Sequence, residues 1–465
     1  MKKITFVIVI VLMAGNLFGQ NVTGQWNGVL DVMGTQVRLV FHIEQTENGY
    51  SATFDSPDQG TEGIPFSSVE FQGSEVTLTA LNIGAMYQGI LAADSITGTW
   101  NQGGQSFPLN LSRYEVVRIE RNRPQEPKKP YPYREEEVFF ENRKDGIMLA
   151  GTLTYPDSDG VFPAVILISG SGPQNRDQKI FGHRSFLVLA DHLTRHGFVV
   201  LRYDDRGTEQ STGDHSLATS ADFATDVLVA VDFLKTRSEI DSDHIGLIGH
   251  SEGGVIAPLA ANQSDDIAHI VLLAGTGIPG KEISLLQTKS LLTDLPFEVE
   301  DEESFIQFNE RWLEIAASDQ MIPEKRDALT QHFRDVESVL YAMLPEGMDT
   351  ENYIAQQVRM SLSPWMQYFY NHNPSDELGK ITIPVLSLNG SKDVQVDAKV
   401  NQLAIKRALE KAGNRHFRIL ELEGLNHMFQ ESESGQMNEY AAIEQTFSPM
   451  ALDEITRWLK EQVEI

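Results

Sequence analysis

Gly249-His250-Ser251-Glu252-Gly253 follows the apolar run Ile245-Gly246-Leu247-Ile248, and the reading of the rest of the chain turns on it. The run ahead of it has the length and composition of a buried strand. Val255-Ile256-Ala257-Pro258-Leu259-Ala260-Ala261 beyond it reads as a buried helix. Between them a serine stands at the apex of a strand-to-helix turn. A serine hydroxyl is a poor nucleophile at neutral pH unless the fold holds it clear of the sheet, beside a base and backbone donors. Glycines two before and two after the serine permit the sharp turn and let the helix pack close, and Gly254 extends the permissive stretch. Five residues of this pattern alone can be a glycine-rich turn. The flanking strand and helix make it a nucleophile elbow, with Ser251 the expected nucleophile.

Such a serine needs an acid and then a histidine, each in a loop after a later strand. Ile383-Pro384-Val385-Leu386-Ser387-Leu388-Asn389-Gly390 is a buried-strand pattern ending in a glycine turn, and Asp393 follows it. Asp397 competes as the acid, but it precedes the helical run Ala398-Lys399-Val400-Asn401-Gln402-Leu403, where an aspartate ordinarily serves as a cap. Phe417-Arg418-Ile419-Leu420-Glu421-Leu422 is the next strand. His427 lies in the loop beyond it, and that position sets it apart from the other histidines of a chain that has 12. A histidine so placed takes the serine proton and returns it to the leaving group, while the carboxylate fixes the tautomer and stabilises the imidazolium.

A tetrahedral intermediate also needs N–H groups aimed at its oxyanion, each contributing about 3 to 4 kcal/mol. One belongs to the residue after the nucleophile, Glu252. The other belongs to the loop after an early strand, here Pro163-Ala164-Val165-Ile166-Leu167-Ile168 followed by Ser169-Gly170-Ser171-Gly172-Pro173. Ser171 is the expected donor and Gly172 the alternate. Pro173 has no N–H to give.

Motif by motif the chain resembles an α/β-hydrolase, and in particular bacterial serine carboxylesterases that carry an N-terminal β domain. The segment from Ser169 through Asp177 resembles that family's oxyanion loop, although a histidine more often begins it. Tyr203-Asp204-Asp205-Arg206-Gly207 through Gly213 resembles its strand-four loop, and the stretches Gly249–Gly254, Asn389–Val396 and Leu425–Phe429 resemble its triad loops. The resemblance covers roughly residues 135 to 465. It implies hydrolysis of a carboxylic ester with a small acyl group.

At 465 residues the chain is long enough for two domains and an insertion. Met1-Lys2-Lys3 ahead of the apolar run Ile4–Ala14 has the form of a signal peptide over 1–20, too short to span a bilayer, with an uncleaved anchor as the alternative. An exported protein, periplasmic or extracellular, is expected, with no stable membrane partner once the signal is cleaved. There is no cysteine, which excludes disulfides, thiolate metal ligands and a thiol nucleophile. The formal net charge of −29, from 66 acidic against 37 basic residues, argues against nucleic acid as a partner.

Residues 21–115 read as short alternating strands separated by turns, as in Gln36–Glu44 and Ser95–Trp100, predicting a small all-β domain, barrel or sandwich. Trp26 and Trp100 could stack on a sugar, but core packing is the ordinary role of such large aromatics. A proline-rich run over 116–134 reads as a semi-rigid linker. From 135 to 465 an opening hairpin is followed by strands near 163, 198, 245, 268, 383 and 417 that alternate with helices, so the fold class is α/β with a mostly parallel sheet covered on both faces. The pattern halts after Gly275 and resumes near 381. The helical stretch at about 278–380 is expected to form a cap over the strand ends, with Trp365, Met366, Tyr368 and Phe369 nearest the substrate or else packed on the sheet domain.

His192 and His196 stand four apart on a helix, but Leu193 occupies the place of a metalloprotease glutamate, and no metal site is expected. Asp204, Asp205 and Arg206, like Arg176 and Asp177, are expected in an ion-pair network beneath the site. The expected activity is that of a cofactor-free serine carboxylesterase acting on a small-molecule ester. A serine peptidase, a polysaccharide deacetylase and a non-catalytic glycan-binding protein are the rival readings.

Overall fold

The computed structural model describes residues 21–32, 35–46, 49–57, 61–80, 83–102, 105–115, 122–291, 302–336 and 350–463. The expected signal segment lies outside them. Among the described residues no helix is long and apolar enough to cross a membrane. They divide into two compact units, one within 21–115 and one from 122 onward.

The first unit is an antiparallel sheet of β1 (Gly24–Val32), β2 (Thr35–Thr46), β3 (Gly49–Ser56), β4 (Thr61–Pro65), β5 (Ser68–Gln72), β6 (Glu75–Ala80), β7 (Ala85–Ala92), β8 (Ser95–Gln102), β9 (Gln105–Pro108) and β10 (Leu111–Ser112). Their order is β4-β3-β2-β1-β10-β8-β7-β6-β5, with β9 on β8. The outermost strands β4 and β5 are joined only by Phe66 and Ser67. The Phe66 N–H donates to the Ala52 carbonyl (3.0 Å) and the Ser67 N–H to that of Thr79 (2.6 Å), so the sheet curls into a half-barrel. Period-two alternation sends Val76, Leu78 and Ala80 inward from β6. Inside, the Phe41 ring meets Phe54, Phe66, Tyr87 and Trp100 at centroid separations of 5.1 to 5.9 Å. Trp26 and Trp100 are both buried, and the Trp26 N–H is taken by the Val22 carbonyl at 2.7 Å, so these indoles are core residues.

The second unit is built on β11 (Tyr133–Asn142), β12 (Ile147–Pro156), β13 (Phe162–Ile168), the small hairpin β14 (Lys179–Ile180) and β15 (His183–Arg184), β16 (Val199–Tyr203), β17 (Ile240–His250), β18 (His269–Leu273), β19 (Val385–Gly390) and β20 (Phe417–Leu422). Apart from the hairpin these form one sheet in the order β11-β12-β16-β13-β17-β18-β19-β20, with β12 antiparallel to its neighbours and the strands from β16 to β20 parallel. This is the α/β-hydrolase arrangement. Both faces are covered, which is why the strands read as continuous apolar runs. Along β13, Ala164 and Ile166 face the core shared with helices Ser220–Lys235, Gly253–Ala261 and Ala398–Lys411. Val165 and Leu167 face the core shared with Ser185–Arg195 and Pro449–Val463. Each fully buried Leu, Ile or Val contributes about 1.5 to 3 kcal/mol on leaving water.

The described part of the proline-rich run is no free spacer. The Arg123 guanidinium donates to the carbonyls of Ala441 and Ile443 (both 2.8 Å), and Gln125 Oε1 accepts from Thr446 and Phe447 N–H groups (2.6 and 2.9 Å). The insertion between β18 and β19 is helical, over Gly280–Leu291, Glu302–Ala316, Ile322–Asp335, Thr350–Ser361, Pro364–Asn371 and Pro374–Leu378. It closes around its own apolar cluster of Phe305, Phe308, Trp312, Phe333, Tyr353 and Tyr370.

Candidate active site

β17 ends at His250, and Ser251 follows it with φ +55°, a left-handed conformation that costs a side-chain-bearing residue about 1 to 3 kcal/mol. The neighbouring strand and the helix hold it there. Ser251 N–H donates to the Leu273 carbonyl (2.8 Å), and the Ser251 carbonyl accepts from Gly254 N–H (2.9 Å). Gly249 and Gly253 are required for room: a Cβ on Gly249 would run into the Gly253 carbonyl, and one on Gly253 into the Ile168 carbonyl. The helix thus starts close against the end of β13.

Asp393 and His427, in the loops after β19 and β20, meet with Nδ1 and Oδ2 2.8 Å apart, and both side chains are buried. The other carboxylate oxygen, Oδ1, accepts from the N–H groups of Gln395 (2.9 Å) and Val396 (2.8 Å), which fixes the carboxylate. A proton held on Nδ1 toward Asp393 leaves Nε2 as the acceptor nitrogen. Asp397 has the separate job of capping Ala398–Lys411, its Oδ1 accepting from Val400 N–H (2.8 Å). His427 itself is seated by His250, a residue to which the sequence reading gave no role. His250 Nε2 donates to the His427 carbonyl (2.9 Å), and its Nδ1 accepts from the Gln178 amide (2.8 Å). Burial pulls His250 down to about 3, so it is a neutral strut.

The loop after β13 lies against the nucleophile, a Cβ on Gly170 coming within 3.2 Å of the Ser251 Cβ. Both ends of this loop are held by Asp205, whose Oδ1 accepts from Ser169 Oγ (2.6 Å) and Oδ2 from Gln174 N–H (2.9 Å). Burial pushes the Asp205 carboxyl up to about 8, against those two donors and helped by the nearby Glu252 and Asp226 carboxyls. The expected ion-pair network is present around it. Arg176 pairs with Asp204 (2.6 Å) and Glu137 (2.5 Å), Arg206 with Asp226 (2.7 Å) and Asp145 (2.9 Å), and Arg202 with Asp177. Asp205 departs from that expectation by serving as a hydrogen-bonded clamp on the loop.

Glu252 also does more than its place after the serine suggests. Its carboxyl is buried, with Oε1 accepting from Ser220 Oγ (2.6 Å) and from the Trp365 indole N–H (2.7 Å). Burial raises its pKa against those donors.

A cavity of about 480 Å³ opens over Ser251 and is also lined by His427, Ser171 and Glu252; the alternate Gly172 does not line it. The cap supplies Trp365, Met366, Tyr368 and Phe369 to the cavity lining, and the Trp365 and Phe369 rings stack 5.1 Å apart. Ile180, Phe181, Met428 and Met437 line it as well and went unnoticed in the sequence, because their short segments carry no periodicity. Among the described residues no Lys or Arg lines it. The His192 and His196 rings stand 4.4 Å apart away from this cavity, and among the described residues no group of three or more His, Asp or Glu could hold a metal ion. A serine at the apex of the turn, an acceptor imidazole backed by a carboxylate, and a loop pressed against the serine constitute the equipment for acyl transfer.

Residues 145–420 match the family described as X-Pro dipeptidyl-peptidase (S15 family). The esterase EstD of Thermotoga maritima is 24% identical over 314 residues, which are 67% of this chain and 65% of that protein. Dipeptidyl-peptidase 5 of Porphyromonas gingivalis is 27% identical over 167 residues, 34% of this chain and 23% of that protein. The chain therefore spans less than two thirds of the length of either curated relative. Among solved structures, the Pyrococcus furiosus esterase Pf2001 aligns with 14% identity and a TM-score of 0.44, covering 75% of this chain and 99% of that one.

Proposed function

The chain belongs to the X-Pro dipeptidyl-peptidase (S15 family), an α/β-hydrolase family, and from its active-site geometry and its likeness to the esterase EstD we propose that it is an exported serine carboxylesterase acting on short-chain acyl esters. The observation that carries the proposal is the left-handed Ser251 in one cavity with His427, whose other ring nitrogen is held by Asp393 at 2.8 Å.

In this reading Ser251 Oγ attacks the ester carbonyl while His427 Nε2 takes the hydroxyl proton, and Asp393 remains ionised behind the ring. The N–H groups of Ser171 and Glu252 receive the oxyanion. As the intermediate collapses, the ester C–O bond breaks and His427 protonates the departing alcohol, leaving an acyl ester on Ser251. Water then adds to that ester, again giving a proton to His427, and the acyl–Oγ bond breaks as His427 returns that proton to Ser251, releasing the acid. No cofactor enters these steps.

Supporting an ester of modest size, the cavity of about 480 Å³ must hold both acyl and alcohol parts, and its walls are largely apolar. Replacing Ser251 with Ala should abolish turnover of p-nitrophenyl acetate with the fold intact, and retained turnover in a clean preparation overturns the mechanism. Across p-nitrophenyl esters of graded acyl length, kcat/KM should be highest for the shortest acids. Export is tested by the N-terminus of the mature protein, expected near Gly19 or Gln20.

The S15 membership favours a second reading, a serine peptidase using the same residues. Faster turnover of an aminoacyl amide than of the matching simple ester would select it.

A further inference from the structure

We propose that the Glu252 carboxyl is a positioning residue that couples the cap to the oxyanion site, holding the nucleophile turn, and with it the Glu252 N–H, in register with the cap helix Pro364–Asn371. The inference rests on the acyl-transfer reading and adds to it a reason why cap placement sets the rate.

The carboxyl joins three pieces of chain that are far apart in sequence. Its own backbone belongs to the turn after Ser251. Ser220, at the start of helix Ser220–Lys235, donates at 2.6 Å, and Trp365, on the cap helix 113 positions away, donates at 2.7 Å. Glu252 is also a residue whose N–H group is assigned to the oxyanion. One side chain therefore ties an oxyanion donor to the wall of the substrate cavity.

A buried carboxyl is costly to keep, several kcal/mol if it lacked partners, and an apolar residue would fill the space at no such cost. Here the donors arranged around it offset that cost and at the same time fix distances that matter for catalysis. Displacing an oxyanion donor by about 1 Å can cost about 100-fold in rate. The Trp365 ring stacks on Phe369 at 5.1 Å with planes 7° apart, so movement of the cap helix carries the indole, and with it the carboxyl, as one piece. A substrate that seats well against Trp365 would thereby stiffen the oxyanion site without touching it.

The test uses the full-length chain with p-nitrophenyl acetate, kcat and KM measured separately, and Ser251 labelling by a fluorophosphonate followed in parallel. E252A should lower kcat by about 100-fold with KM little changed. E252Q, whose amide oxygen accepts from Ser220 and Trp365, should recover most of that loss. W365F removes the indole donor and S220A the serine donor. Each should lower kcat severalfold, and the double variant should lose markedly less than the product of the two, because both act through the same carboxyl. Should E252A fail to fold by near-UV circular dichroism, E252Q and the W365F/S220A cycle still decide. An E252A enzyme with undiminished kcat, or independent multiplication of the W365F and S220A effects, overturns the inference. Absence of wild-type labelling, or an active S251A enzyme, instead overturns the acyl-transfer reading.

Discussion

Asp205→Asn separates the charge of the loop clamp from its geometry. Burial moves the Asp205 carboxyl from 3.8 in the unfolded chain up to about 8 in the folded one. That displacement corresponds to about 5 kcal/mol. The folded protein binds the extra proton between these values, so its contribution to stability is full below about pH 4 and is lost as pH rises through about 8. Asparagine reproduces the protonated form, its NH2 donating to Ser169 Oγ and its oxygen accepting from Gln174 N–H, the partners now at 2.6 and 2.9 Å. Calorimetric melting at pH 5, 7 and 9 should therefore show the wild type losing several kcal/mol more than D205N across the range. The curves should cross so that the variant is the more stable at pH 9. Parallel pH dependences would refute the reasoning, because they would mean that Asp205 carries no extra proton when folded.

Asp393→Asn should cut kcat by about 10,000-fold on p-nitrophenyl acetate, since an amide NH2 facing His427 Nδ1 favours the tautomer that puts the proton on Nε2. A loss below 100-fold would move the acid role elsewhere. Gly253→Ala pushes a Cβ into the Ile168 and Ser169 carbonyls. Overpacking of this kind costs about 1 to 3 kcal/mol or more, and because the obstructing atoms are backbone the turn itself must shift. Fluorophosphonate labelling of Ser251 should slow at least tenfold alongside a lowered melting temperature, and unchanged labelling would show that the turn tolerates the side chain.

What could be read from the sequence tracks the range of the interaction that encodes it. The turn at Ser251 is local: two glycines, an apolar run before and another after are enough to specify a left-handed apex, because the clash that requires those glycines lies within a few residues or against the next strand. The covered sheet is local in the same sense, since β13 and β18 need only uninterrupted apolar residues to be buried on both faces. Even the choice between Asp393 and Asp397 was legible, because capping is a bond to a residue three along. The Glu252–Trp365 bond, the His250 strut beneath His427 and the Asp205 clamp across Ser169 and Gln174 span 113, 177 and 36 to 31 positions. No periodicity marks such partners. They meet only because the strand order β16-β13-β17-β18-β19-β20 gathers the loops at one sheet edge, with the insertion after β18 supplying the cap. A glutamate beside the serine and an aspartate after β16 look like solvated charges until that order is known. The sequence therefore discloses the residues whose chemistry is intrinsic, and the fold discloses those whose role is to hold the others in place.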